Sequence, residues 1–152
     1  MRKSKHLILS SFYFDFNDDL SKITNVKKSF KNQNILDLFR FDNLKNIKEE
    51  QFWLYSLGFI YLPSNILSIE PMAFMENKIK YINLFNCINL KSIDDKAFFK
   101  NQIRYLRLPS NIKTISYNVF SSNKIKILDL SNCIKLEYID YGAFANNQIK
   151  QF

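Results

Sequence analysis

A self-match at a fixed offset constrains this chain more than any other feature. Ile79, Ile82, Leu84, Cys87, Leu90, Ile93, Ala97 and Phe98 recur as Ile125, Leu128, Leu130, Cys133, Leu136, Ile139, Ala143 and Phe144, each displaced by 46 residues. Two shorter copies keep the same offset: Leu57, Ile60, Leu62, Ile66, Ile69, Ala73 and Phe74, then Ile103, Leu106, Leu108, Ile112, Ile115, Val119 and Phe120. The period therefore resolves into alternating units of 24 and 22 residues. A unit this small cannot bury its apolar side alone, so copies must stack on one another into a solenoid.

Leu36, Leu38, Leu44, Ile47 and Phe52 extend the pattern one long unit earlier, with Phe41 where Cys87 and Cys133 later stand. Residues 1–33 depart from it and are expected to form an N-terminal cap with a degenerate first repeat. Phe12, Phe14 and Phe16 alternate there in a predicted strand over Ser11–Asn17. Residues 34–152 are the solenoid proper. Ile149 and Phe152 begin a further copy with no cap after it, which predicts an open edge available for edge-to-edge self-association.

Within a unit, Leu-x-Leu reads as a strand with two inward side chains. Glu70, Asp94, Ser116 and Asp140 then stand where a helix would be capped, with Pro71 at a first helical position. Ala-Phe packs inward from that turn, and Asn77, Asn101, Asn123 and Asn147 are expected to end it in the left-handed conformation. The prediction is an α/β solenoid, with one parallel sheet on one face and short helical turns on the other.

Ile79-x-x-Ile82-x-Leu84-x-x-Cys87 resembles the core pattern of leucine-rich repeats. Leu62-Pro63-Ser64-Asn65-Ile66, its copy Leu108-Pro109-Ser110-Asn111-Ile112 and the Ile-x-x-x-Ala-Phe elements are similar to the BspA-like group of that superfamily. The resemblance implies a curved solenoid, sheet on the concave face, that binds partners, often at bacterial or protist cell surfaces. It brings no catalytic residues with it.

The chemistry-bearing side chains agree with a non-enzyme. Cys87 and Cys133 lie two repeats apart, so stacking at ~4.8 Å puts their Cα atoms about 10 Å from each other. That exceeds the ~7 Å reach of a disulfide, and both are expected to be free, buried thiols. His6 is the sole histidine, so no metal-ligand cluster and no nucleophile–histidine pair is expected, and no cofactor. No apolar run reaches membrane-spanning length. Arg2, Lys3 and Lys5 before Leu7–Phe14 imitate a signal peptide, yet Ser10 and Ser11 interrupt the run and no small-residue cleavage site follows; the segment is read as uncleaved.

What remains is the sheet face, where outward positions stack into columns. One column runs Ile35, Phe59, Tyr81, Tyr105 and Ile127; the next Asp37, Tyr61, Asn83, Arg107 and Asp129. Phe39 and Phe85 follow the strand in two of the long units. Lys80, Arg104, Lys126 and Lys150 precede it, a basic stripe in a chain of net charge +8. Aromatics beside arginine make up protein-binding hot spots, and this face is the candidate site for a protein or glycoprotein ligand. Two competing readings are that the aromatics only stabilise neighbouring strands, and that the stripe serves a polyanion or nucleic acid. A structural segment of a longer repeat protein is the third.

Overall fold

The structure, a computed structural model, describes residues 35–151. The cap at 1–33, the strand at Ser11–Asn17 and the leader-like segment lie outside the described residues.

Each unit contributes two strands rather than one. β1 (Ile35–Asp37), β3 (Phe59–Tyr61), β5 (Tyr81–Ile82), β7 (Tyr105–Arg107) and β9 (Ile127–Asp129) carry the outer columns anticipated above. β2 (Asn46–Ile47), β4 (Ser68–Ile69), β6 (Ser92–Ile93), β8 (Thr114–Ile115) and β10 (Tyr138–Ile139) form a second, continuous parallel sheet on another side. Registers follow the repeat, with Ile35 opposite Phe59, Phe59 opposite Tyr81, Tyr105 opposite Ile127 and Ile127 opposite Gln151. The first sheet is interrupted between β5 and β7, where the ladder is not hydrogen-bonded strand to strand.

The difference between long and short units sits at one corner. Leu62 to Ile66 turns through a single backbone bond, Ile66 N–H to Pro63 C=O. In the long units two consecutive turns pivot on one residue: Cys87 N–H to Leu84 C=O, then Leu90 N–H to Cys87 C=O, repeated at Cys133 and, with phenylalanine in its place, at Phe41. Two extra residues are absorbed there and nowhere else.

The short helical turns expected on the far side are absent: the described residues hold no helix, and the solenoid is all-β. The segments after Ile69, Ile93, Ile115 and Ile139 are stacked β-turns. Glu70 C=O accepts from Ala73 N–H with Pro71 and Met72 between, and Met72 has φ +55°. Proline followed by positive φ makes a type II turn, which cannot seed an α-helix. Glu70, Asp94, Ser116 and Asp140 therefore open turns through their carbonyls instead of capping helices. Lys96, Asn118 and Gly142 repeat the positive φ of Met72, and Glu76, Lys100, Ser122 and Asn146 repeat it four residues on. Each such non-glycine residue costs about 1–2 kcal/mol. What holds them is bonding between turns. Met72, Phe74 and Glu76 donate N–H to the carbonyls of Asp95, Ala97 and Phe99, and the same triplet recurs from each turn to the next.

Asn77, Asn101, Asn123 and Asn147 are accordingly not the left-handed residues; the positive φ belongs to the residue before each. Their amides do something else. Asn101 Oδ1 accepts from Ile79 N–H at 3.0 Å, while its Nδ2 donates to Phe74 C=O at 2.9 Å and Phe98 C=O at 3.2 Å. The other three make the same bonds one unit up or down, giving a ladder of amides buried through most of its length. Beside it runs a column of phenyl rings. Phe52, Phe74, Phe98, Phe120 and Phe144 stack with centroids 5.2–5.7 Å apart and planes within 13°. Ring pairs add roughly 0.5–1.5 kcal/mol each beyond burial. Leu38, Leu62, Leu84 and Leu108 line up in the core, and Leu130 packs partly buried against it.

Candidate binding surface

The residues Phe59, Tyr61, Tyr81, Asn83, Tyr105, Arg107 and Asp129 all sit on or beside the first sheet, as the columns require. Phe59, Tyr81 and Tyr105 project outward in register, 37%, 43% and 46% exposed, because Ile60, Ile82 and Leu106 take the inward positions. Alternation along the strand leaves them no core to enter. Tyr61 and Tyr81 approach each other at 6.3 Å between ring centres, tilted at 50°. Phe39 at the N-terminal end is 62% exposed, whereas Pro63 and Pro109, its counterparts in the short units, are buried. The aromatic surface is thus continuous along one column and intermittent along its neighbour.

Arg107 is engaged within the molecule. Its guanidinium lies 3.9 Å from the centre of the Phe85 ring, and its buried Nε is 3.1 Å from Asp129 Oδ2 without the alignment of a hydrogen bond. A cation over an aromatic face contributes about 0.5–2 kcal/mol depending on desolvation. The contact to Phe85 crosses the gap between β5 and β7, so Arg107 adds a side-chain tie between two sheet segments whose strands are not paired with each other. Asp129 Oδ1 in turn accepts from the hydroxyl and the N–H of Ser131. These bonds, the hydroxyl's first, and then Arg107 hold its carboxyl below the ordinary range. Asp37 makes the same backbone bond to Phe39 N–H. Arg107, Phe85 and Asp129 therefore shape the face, while the tyrosines and Phe59 remain available on it.

Lys80, Arg104 and Lys126 are exposed at the corner where each unit enters the first sheet, followed by Lys150. The N–H groups of Lys80, Lys126 and Lys150 donate to the carbonyls of Gly58, Arg104 and Lys126 at 2.8, 2.9 and 3.0 Å, which fixes one cation per turn. Gln102 N–H to Ile79 C=O carries that register across the gap.

Cys87 and Cys133 are free and buried, as two-repeat spacing requires. Each thiol donates to a proline carbonyl of the preceding short unit, Pro63 and Pro109, at 3.7 Å. Burial pushes the Cys87 thiol up to about 11, and raises Cys133 with a further push from the Asp129 charge. Asp94 is raised as well, by burial first and by Asp95 and Glu70, with Ser92 hydrogen bonding opposing them. Among the described residues no group of His, Cys, Asp and Glu is arranged to hold a metal ion. No helix among them is long and apolar enough to cross a membrane.

The buried asparagine amides and the second sheet escaped the sequence reading. The 46-residue recurrence of asparagine in a chain with only two glycines was the available signal, but it does not separate a turn residue from a buried donor.

A family model for the BspA type leucine rich repeat region matches the chain in six copies over residues 45–152. No curated protein and no solved structure matches it.

Proposed function

The chain belongs to the BspA-type leucine-rich repeat family, and on that premise we propose that it is a non-catalytic binding module of the surface-adhesin or host-interaction kind. Its first-sheet face holds a protein or glycoprotein partner. The observation that carries this is the row Phe59, Tyr81 and Tyr105, large apolar side chains left in water on consecutive strands although a full core lies behind them. Contiguous exposed aromatics mark interaction surfaces more often than isolated ones do. Rigid rings lose little side-chain entropy on binding, which suits an anchor role.

The test replaces Tyr81 and Tyr105 together by serine and measures capture of immobilised proteins and glycoproteins. Loss of capture with the melting midpoint held within about 2 °C supports the reading. If the rings only brace the sheet, their removal lowers stability by roughly 1 kcal/mol and leaves capture unchanged. That result would refute the assignment.

A further inference from the structure

The stacked turns that follow the second sheet form a face of their own, and it is studded with apolar side chains. Trp53, Leu54, Tyr117 and Tyr141 stand exposed on it, Tyr141 at 80%, with Met75 and Phe99 half-buried among them. The inward side of the same turns is already filled by the phenyl column, so the core has no place for these six. Their rings attract cations of their own molecule: Lys96 Nζ lies 5.8 Å from the centre of Tyr117, and Lys100 Nζ 5.4 Å from that of Phe99. Tryptophan, tyrosine, phenylalanine and methionine are the residues enriched at the centres of protein interfaces. The two borders of the face carry opposite charge. Where the chain enters it, positions 48–49, 70–71, 94–95, 116–117 and 140–141 hold five acids, Glu49, Glu70, Asp94, Asp95 and Asp140, against one cation, Lys48. Where the chain leaves toward the first sheet, positions 56–58, 78–80, 102–104, 124–126 and 148–150 hold six cations and no acid.

A partner for this face has to offer an apolar strip with a basic border opposite the acidic one and an acidic border opposite the basic one. A second copy of the chain does so. Turning it by 180° about a line parallel to the solenoid axis sets turn face against turn face. The acidic border of each copy then lies on the basic border of the other, with the apolar strips between. Both copies repeat at the same ~4.8 Å, so borders that match at one turn match along the stack. Rotation about a line across the turns would instead set acid on acid and base on base. The charge pattern therefore selects the parallel arrangement, and a two-fold contact of this kind closes on itself. We propose that the turn face is a homodimer interface, with two solenoids side by side and pointing the same way. Tyr117 and Tyr141 anchor its centre, and the charged borders set its orientation. The row of Phe59, Tyr81 and Tyr105 stays outside the contact, so the dimer and the first-sheet binding surface stand or fall separately.

The test is sedimentation velocity at physiological ionic strength, where repulsion between two chains of net charge +8 is screened beyond ~8 Å. The parent should show a reversible dimer. Tyr117→Ser with Tyr141→Ser should raise its dissociation constant roughly tenfold or more. Glu49→Lys with Asp95→Lys, and separately Lys78→Glu with Lys124→Glu, should each leave monomers. An equimolar mixture of the two reversed proteins should form a heterodimer, because every border then meets its opposite. Tyr81→Ser with Tyr105→Ser should leave dimerisation unchanged. Circular dichroism identifies any variant that fails to fold, and the tyrosine pair decides the matter if a reversal does. A parent that stays monomeric at ~0.1 mM would overturn the proposal. So would a dimer indifferent to Tyr117 and Tyr141, a mixture of folded reversed proteins that stays monomeric, or a dimer lost with Tyr81 and Tyr105.

Discussion

Replacing Asn101 by alanine tests the amide ladder most directly. The side chain reaches four backbone groups, the longest contact being Nδ2 to Phe99 C=O at 3.4 Å, where Glu76 N–H also donates, but they do not suffer equally from its loss. Phe74 C=O keeps a second donor, Asn77 Nδ2 at 3.0 Å, and Phe98 C=O keeps Asn123 Nδ2 at 2.9 Å. Ile79 N–H loses the acceptor it has among the described residues, in a position closed to water. Leaving one buried donor unpaired costs about 1–3 kcal/mol, and each of the two shorter forfeited bonds to still-satisfied carbonyls about 0.5–1 kcal/mol. The sum is about 2–5 kcal/mol, or a fall of roughly 4–20 °C in melting midpoint for a chain this long. Asn101→Asp should cost more at neutral pH, since a carboxylate oxygen would then face the Phe74 and Phe98 carbonyls. That excess should shrink on acidification as the new carboxyl protonates. Urea unfolding followed by Trp53 fluorescence measures both. An alanine variant within 1 kcal/mol of the parent, or an aspartate variant indifferent to pH, would refute the reasoning.

Two further outcomes follow from the buried titratable groups. Native-state alkylation at pH 8 should be slow at Cys87, since a thiol at about 11 is only ~0.1% thiolate there. Cys133, nearer the surface at 9% exposed, should react sooner, and mass spectrometry of timed digests would show the order. Asp94→Asn should raise stability at neutral pH. Its folded-state acidity is weakened relative to the unfolded chain, so its penalty is present above the raised value and disappears as pH falls through it toward the ordinary carboxylate range. Denaturation midpoints of the two proteins that converge in acid would agree, and midpoints equal at all pH values would not.

The period, the inward leucines, the phenyl column and the separation of the cysteines were legible because each is a matter of spacing. What the far side does with its backbone was not. Glu70 to Glu76 spans seven residues, enough for a helical turn or for two β-turns, and Met72 and Lys96 give no outward sign of positive φ as glycine would. The second sheet is equally silent. Its strands are two residues long, Ser68–Ile69 or Ser92–Ile93, too short for alternation to register. On the first-sheet face, the columns placed the aromatics outward, yet nothing in the order of residues reveals that Arg107 folds back over Phe85 of the preceding unit. That contact spans the interruption between β5 and β7, a feature of the assembled stack.

The cysteine corner also bears on how such a chain can change length. Each thiol rests on a proline carbonyl of the shorter unit before it, Cys87 on Pro63 and Cys133 on Pro109, so wide corners are seated on narrow ones. In-frame recombination that duplicates or excises a 46-residue pair restores the same seating at the joint. Gain or loss of one unit alone would set two wide corners, or two narrow ones, against each other. The heritable module here is the couple, and lineages of such genes should differ in steps of two.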